Sequence, residues 1–203
     1  ASLGWTAENG KEIMNMSELI ESFKLENVVS AAANFDFERL RWVNQKHLTE
    51  TSDEALIKKI VEVSPETELL EKGKFLLAIG LVKERAETLL DFWSLMKYLF
   101  YAPEVFEEKA VVKLSEQSKA ILEEGEKIAR ASEDAAILNE GESFIDACLG
   151  WSTDNNIKAG QLMMTLRIAF VGGLHGIDLK KIVSFIGLKE ACVRLERLKK
   201  FLD

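Results

Sequence analysis

Proline is almost missing from this chain: Pro65 and Pro103 are the only two in 203 residues. Each proline inside a helix removes a hydrogen bond and adds a clash, so their scarcity leaves nearly the whole chain open to helix. Cysteine is as rare. Cys148 and Cys192 lie far apart without a C-x-x-C spacing, which gives a zinc site or redox motif no support and predicts two buried free thiols. The two histidines, His47 and His175, lack partners at the spacings of a metal site or a catalytic triad. No apolar run approaches the about 20 residues that cross a bilayer, and no basic stretch precedes an apolar one at the start. The expected location is the cytoplasm, away from membrane. Neither a Walker loop nor a G-x-G-x-x-G after a strand is visible, so no phosphate cradle and no catalytic residue is assigned.

What remains is helix-forming and soluble. Hydrophobic residues make up 47% and charged residues 30% of the chain, rich in Leu, Glu, Lys and Ala. The expected fold is all-α, in a chain long enough for one or two domains. Net charge is −8, which argues against a nucleic-acid partner, but the charge is uneven. Residues 156–203 hold nine Lys or Arg against four acids, leaving 17 basic against 30 acidic groups elsewhere. That basic end is read either as a footprint for phosphates or as a solvated helix face. The second reading is preferred for Arg194, Arg197, Lys199 and Lys200.

Helix signals follow one another along the chain. Asn15 with Glu18 is a capping box for a helix through Phe23, and residues 24–34 read as turns. Asp36 caps a helix through His47, with Trp42 expected in the core. Thr51 and Glu54 are a second capping pair, Ser64-Pro65 is a restart, and Gly73 interrupts before a helix ending near Lys83-Glu84-Arg85. Residues 88–100 carry a wide apolar stripe that includes Phe92, Trp93 and Met96, read as core and not as a base-stacking platform. Pro103 marks the boundary between two helical bodies. A helix over residues 115–132 follows, then one capped by Asn139 with Glu142, and a polar loop over residues 151–156. No repeat of fixed length appears, which disfavours a regular solenoid.

Residues 158–171 form an apolar helical run, and Arg167 sits inside it. An arginine there must pair its planar fork, and a carboxylate in an internal ion pair or the edge of a nucleic-acid base would suit it equally. Gly172-Gly173-Leu174-His175-Gly176 then ends the helix in a loop where backbone has room to approach a ligand. Asp178 caps the next helix, Gly187 closes it, and a last helix runs to Phe201.

The run Leu166-Arg167-Ile168-Ala169-Phe170-Val171-Gly172-Gly173, with Asp178-Leu179 and the closing Phe185-Ile186-Gly187, resembles the C-terminal signature of bacterial glutamyl-tRNA synthetases. Phe35-Asp36-Phe37-Glu38-Arg39-Leu40-Arg41-Trp42-Val43-Asn44 is similar to that family's FDxxKLxWxN box, and Leu3-Gly4-Trp5 to the LGW before it. The patches stand in family order over nearly the whole chain. Leu174-His175-Gly176-Ile177 lacks the family's loop proline. The chain has no initiator Met and starts inside a motif, which predicts a fragment.

The resemblance implies the end of a stem-contact connecting region over residues 1–50. Two helical anticodon-binding subdomains, forming a helical cage, follow over residues 51–103 and 104–203. It implies tRNA(Glu) as partner through its anticodon loop, with Arg85, Arg167, Gly176 and Leu179 as the RNA-binding residues. Single-stranded bases suit this, because they expose edges to arginine and faces to apolar groups. It places Arg85 against the third anticodon base, where glutamate and glutamine anticodons differ as C against G. Cytosine offers acceptors to a guanidinium, whereas guanine presents donors. A charged, solvated helix face is the other reading of Arg85. The family's ATP-handling HIGH and KMSKS motifs would lie upstream of Leu3. ATP with Mg is therefore expected of a parent catalytic domain, and this monomeric fragment, with no cofactor or metal, is expected to be inactive alone. The rival is a helical protein-interaction module without RNA.

Overall fold

In the computed structural model, which describes residues 4–29, 35–133 and 140–203, the chain is all-α, with eleven α-helices among the described residues. A single pairing of Trp5 with Val28 is the one β-bridge among them. The Leu3 and Asn139 positions of the motifs above lie outside the described residues. Two compact units divide the chain, Ala1–Ser94 and Leu95–Asp203.

The first unit opens with α1 (Met16–Ser22), where both halves of the Asn15/Glu18 capping box form. Asp36 caps α2 (Phe37–Glu50), which runs three residues beyond the expected His47. Trp42 is 39% exposed on α2 and so is not core, contrary to expectation, and Lys46 lies 5.9 Å from its ring centroid. The cap of α3 (Asp53–Val63) is Ser52, not Thr51, whose hydroxyl instead turns back to the His47 carbonyl at the end of α2. Pro65 begins the short 3-10 turn Pro65–Thr67, as a proline with no N–H to lose should. Gly73 does not break the chain. It lies in the first turn of α4 (Lys72–Val82), where the Glu71 carboxylate accepts from the N–H groups of Gly73 and Lys74. Leu56 and Ile60 of α3 and Phe75, Ala78, Ile79 and Val82 of α4 are buried at the centre of this unit. The 3-10 turn Lys83–Arg85 follows, and α5 (Leu89–Phe100) carries the chain into the second unit. Phe92, Met96 and Leu99 of its apolar stripe are buried, as expected of core, while Trp93 is only half-buried.

In the second unit a short α6 (Glu108–Val111) leads to α7 (Gln117–Glu133), α8 (Glu140–Asp154), α9 (Ala159–Val171), α10 (Leu179–Ile186) and α11 (Leu188–Phe201). Helix α11 lies along α7 and also meets α9, while α10 packs on α8. Their shared core includes Ile121, Leu122, Phe144, Ile145, Leu166 and Phe170, all fully buried. Both cysteines are buried and free, and burial pushes the Cys148 thiol up to about 12. Residues 151–154 extend α8 where a polar loop was expected. The Ser152 and Thr153 hydroxyls bond back to the Leu149 carbonyl, which absorbs their polarity without leaving the helix. Gly141 makes the α8–α10 contact possible, since a Cβ there would fall 2.1 Å from the Lys180 carbonyl oxygen. No helix among the described residues is long and apolar enough to cross a membrane.

Candidate nucleic-acid interface

The loop after α9 is set by its own ends. Gly172 caps the helix at φ +82°, a left-handed conformation that a side chain resists, and its N–H reaches the Ile168 carbonyl. Asp178 starts α10 by accepting from the Lys180 N–H at 2.8 Å. Between these caps the chain is tied at both faces of its backbone. The Gly172 carbonyl accepts from Glu107 N–H, the Ile177 N–H donates to the Tyr98 hydroxyl at 3.0 Å, and the Ile177 carbonyl accepts from Arg167 Nη1 at 2.8 Å.

At the glycine pair, part of the loop that the sequence reading leaves open to a ligand, the protein itself comes close. A Cβ on Gly172 would lie 2.8 Å from Pro103 Cβ, and one on Gly173 would lie 2.4 Å from a Glu107 carboxylate oxygen. The close approach is to the chain's own segment 103–107.

Arg167 is half-buried beside this loop. No carboxylate among the described residues pairs with it, and its partner is a single loop carbonyl. The residue as a whole is half-buried, so part of its side chain stays open to solvent. Gly176 adjoins it: a Cβ there would sit 3.3 Å from Arg167 Nη1 and 3.4 Å from the Tyr98 hydroxyl. Leu179, the first residue of α10, is fully buried. The second unit thus gathers Arg167, Gly176 and Leu179 around one loop.

The buried arginine of this region is a different one. Arg194 is 1% exposed, although the sequence reading put it on a solvated face. Its Nη1 donates to the carbonyls of Tyr98 and Phe170, in the last turns of α5 and α9, and its Nε pairs with Glu190 at 2.8 Å. Helix C-termini leave carbonyls unsatisfied and carry partial negative charge, so one guanidinium answers two of them. Burial draws its pKa down, while Glu190 opposes that. Apolar spacing alone could not separate Arg194 from its neighbours, because Arg197 and Lys200, three and six residues on, are exposed. Lys199 pairs with Glu126, Lys200 with Glu196, and Lys180 with Asp146 and Glu142. Much of the basic excess is therefore spent on the protein's own acids. Lys158, Lys181 and Lys189 remain exposed.

In the first unit, Arg85 ends the 3-10 turn Lys83–Arg85 and is exposed. Every side of that turn is tied down. Lys83 Nζ reaches the Thr51 carbonyl and the Asp53 carboxylate, and Gln45 and Asn44 of α2 donate to the carbonyls of Glu84 and Glu87. Asp91 accepts from the N–H groups of Glu87 and Thr88. Neither Gln45 nor Tyr98 had been singled out from the sequence. The sequence marks Asn44 as the last residue of a motif and as part of a helix face with Phe37, Leu40 and Val43, whereas Tyr98 lies unmarked within an apolar stripe. Among the described residues no group of three or more His, Cys, Asp or Glu could hold a metal ion.

Comparison with known proteins gives the same frame. A family model described as "Anticodon binding domain" matches residues 28–199. A glutamate–tRNA ligase of Flavobacterium johnsoniae is 33% identical over 203 residues, covering 97% of this chain and 39% of that protein. Another, from Christiangramia forsetii, is 32% identical over 206 residues and covers 100% and 39%. Among solved structures, a glutamate tRNA ligase from Elizabethkingia meningosepticum in complex with its amino acid aligns with a TM-score of 0.84 at 31% identity. That alignment covers 99% of this chain and 39% of the other. The chain spans 39% of the length of these relatives.

Proposed function

The chain belongs to the anticodon-binding-domain family, and on that premise we propose that it reads the anticodon loop of tRNA(Glu) for a cytoplasmic, monomeric glutamate–tRNA ligase. In this reading residues 1–50 end a stem-contact region, and residues 51–103 and 104–203 are two anticodon-binding subdomains. The observation that carries it is Arg167. Its guanidinium donates to the Ile177 carbonyl, pairs with no carboxylate among the described residues, and belongs to a side chain that is only half-buried. A planar donor fixed before its ligand arrives loses little entropy on binding a base edge or a phosphate.

Gly176 keeps a side chain out of the space beside that fork. Leu179 contributes through its main chain at the start of α10, since its side chain is sealed in the core. Arg85, on its tied turn, meets the third anticodon base and favours C over G, because guanine's donors would face those of the guanidinium. ATP with Mg would be handled by the catalytic part of the longer ligase, to which no residue of this chain is assigned. Alone, the chain forms no aminoacyl-adenylate.

Arg167→Ala tests the reading. Losing one good contact should weaken tRNA(Glu) binding by about 1–3 kcal/mol while the melting temperature falls only slightly. A collapsed melting temperature, with unchanged affinity of the folded fraction, would make Arg167 a loop brace and nothing more.

A further inference from the structure

The turn that presents Arg85 is braced from outside its own helix. Asn44 and Gln45 are consecutive on α2, and their amide nitrogens donate to carbonyls on either side of Arg85-Ala86, those of Glu87 and Glu84. The sequence separations are 43 and 39 residues, so these bonds fix tertiary position and not merely local shape. Each closes a gap the backbone leaves open. Carbonyls at the end of a 3-10 turn and just beyond it lack a helical N–H to accept from, and the Glu87 N–H that could serve Glu84 goes to Asp91 instead. Water would otherwise serve them, as both bonds lie at the surface. At such an exposed position a hydrogen bond adds little net stability, because water replaces it well. What water cannot replace is placement.

From this we infer that Asn44 and Gln45 are positioning residues for base selection. They hold the Lys83–Arg85 turn so that the Arg85 guanidinium meets the third anticodon base in one register. The inference rests on the reading of Arg85 proposed above. The remaining contacts of the turn are consistent with rigid presentation. Lys83 is pinned to Thr51 and Asp53, Asp91 caps the N–H groups of Glu87 and Thr88, and Ala86 is fully buried. Those contacts anchor the ends of the segment, while the α2 amides hold the carbonyls flanking Arg85 itself. Discrimination between cytosine and guanine depends on which polar groups face one another. A displaced guanidinium would lose cytosine's acceptors and would also escape guanine's donors, so both effects lower the ratio of affinities.

The test is a double-mutant cycle read as a ratio. The 203-residue chain is titrated with a tRNA(Glu) transcript and with the same transcript carrying G at the third anticodon position, in the parent, Gln45→Ala, Asn44→Ala/Gln45→Ala, Arg85→Gln and the triple variant. The expected result is that Asn44→Ala/Gln45→Ala lowers the C-over-G affinity ratio by about tenfold with little change in melting temperature. Gln45→Ala should show a part of that loss, which keeps the question open to measurement if the double variant folds poorly. The triple variant should show no further loss beyond Arg85→Gln, because the two amides act only through the arginine. If Arg85→Gln collapses the ratio while the α2 variants leave it intact, Arg85 reads the base but the positioning role is wrong. If Arg85→Gln itself leaves the ratio unchanged, the reading of Arg85 fails and this inference falls with it. Additive losses in the triple variant would also overturn it, since the amides would then be acting by another route.

Discussion

Replacing Arg194 by Met removes the charge and keeps most of the volume, and the consequence can be worked from its partners. Two carbonyls, those of Tyr98 and Phe170, lose a donor in a place that water does not reach, because Arg194 is 1% exposed. Each stranded buried acceptor costs about 1–3 kcal/mol. Glu190 is 37% exposed and can turn to solvent, so its ion pair adds little. The apolar methionine recovers part of the desolvation that a buried cation entails, and a buried ion pair can often be replaced by hydrophobes without loss. Here that escape is closed, since the acceptors are main-chain carbonyls that no substitution removes. The expected loss is about 3–5 kcal/mol, a large share of the about 5–15 kcal/mol that a domain has. Arg194→Lys should fall between, because an ammonium lacks the fork that spans two carbonyls and a carboxylate. Urea unfolding followed by circular dichroism measures it. A loss for Arg194→Met under about 1 kcal/mol, or full stability of Arg194→Lys, would refute the claim that this guanidinium ties two helix ends.

Two further outcomes follow from packing and from charge. Gly141→Ala should destabilise by at least about 2 kcal/mol despite alanine's better helix propensity, because its methyl would strike the α10 backbone. Gly150→Ala in the same helix meets no atom within 4 Å and should instead gain about 0.5–1 kcal/mol; thermal melts of the pair check both. Lys199, and then Arg130, hold the Glu126 carboxylate below its ordinary range. A lowered folded-state pKa gives stability that is present above the unfolded value and lost as pH falls through the folded one. Glu126→Gln should therefore be less stable than the parent at pH 7, with the gap closing only as pH falls past the unfolded carboxylate value of about 4.3 and on through the lower folded one, and a gap that stays constant throughout that descent would contradict the assignment.

The helices were legible because their signals are local. Asn15 with Glu18, Asp36, Asp178 and Gly187 act within one turn of themselves, and each stands where the sequence put it. The errors came where a local signal had two outlets. Thr51 and Ser52 are adjacent hydroxyl residues with the same extended backbone, and only their side-chain partners separate them: Ser52 accepts from the Ala55 N–H while Thr51 donates to the His47 carbonyl. Ser152 and Thr153 look like loop residues until their hydroxyls find a helix carbonyl. At the candidate site the arginine at 167 was visible as an anomaly in an apolar run. The one at 194 was not, because a helix face rich in Lys and Arg looks the same whether it meets water or the stranded carbonyls of two other helices. That knowledge is tertiary, as is the contact of Asn44 with a turn 43 residues away.

RNA binding by an acidic chain through a few placed donors has a direct physical signature. Titration of the chain with a tRNA(Glu) transcript by filter binding, across a series of salt concentrations, tests it most directly. Neutralised phosphates release counterions, so log K should fall linearly with log salt, with a slope of about −0.7 per phosphate contact on single strands. Specific binding at low salt should weaken along such a line, and a transcript with an unrelated anticodon loop should bind less tightly at every salt. No binding at low salt, or equal binding of both transcripts, would contradict it and leave a helical protein-interaction module in its place.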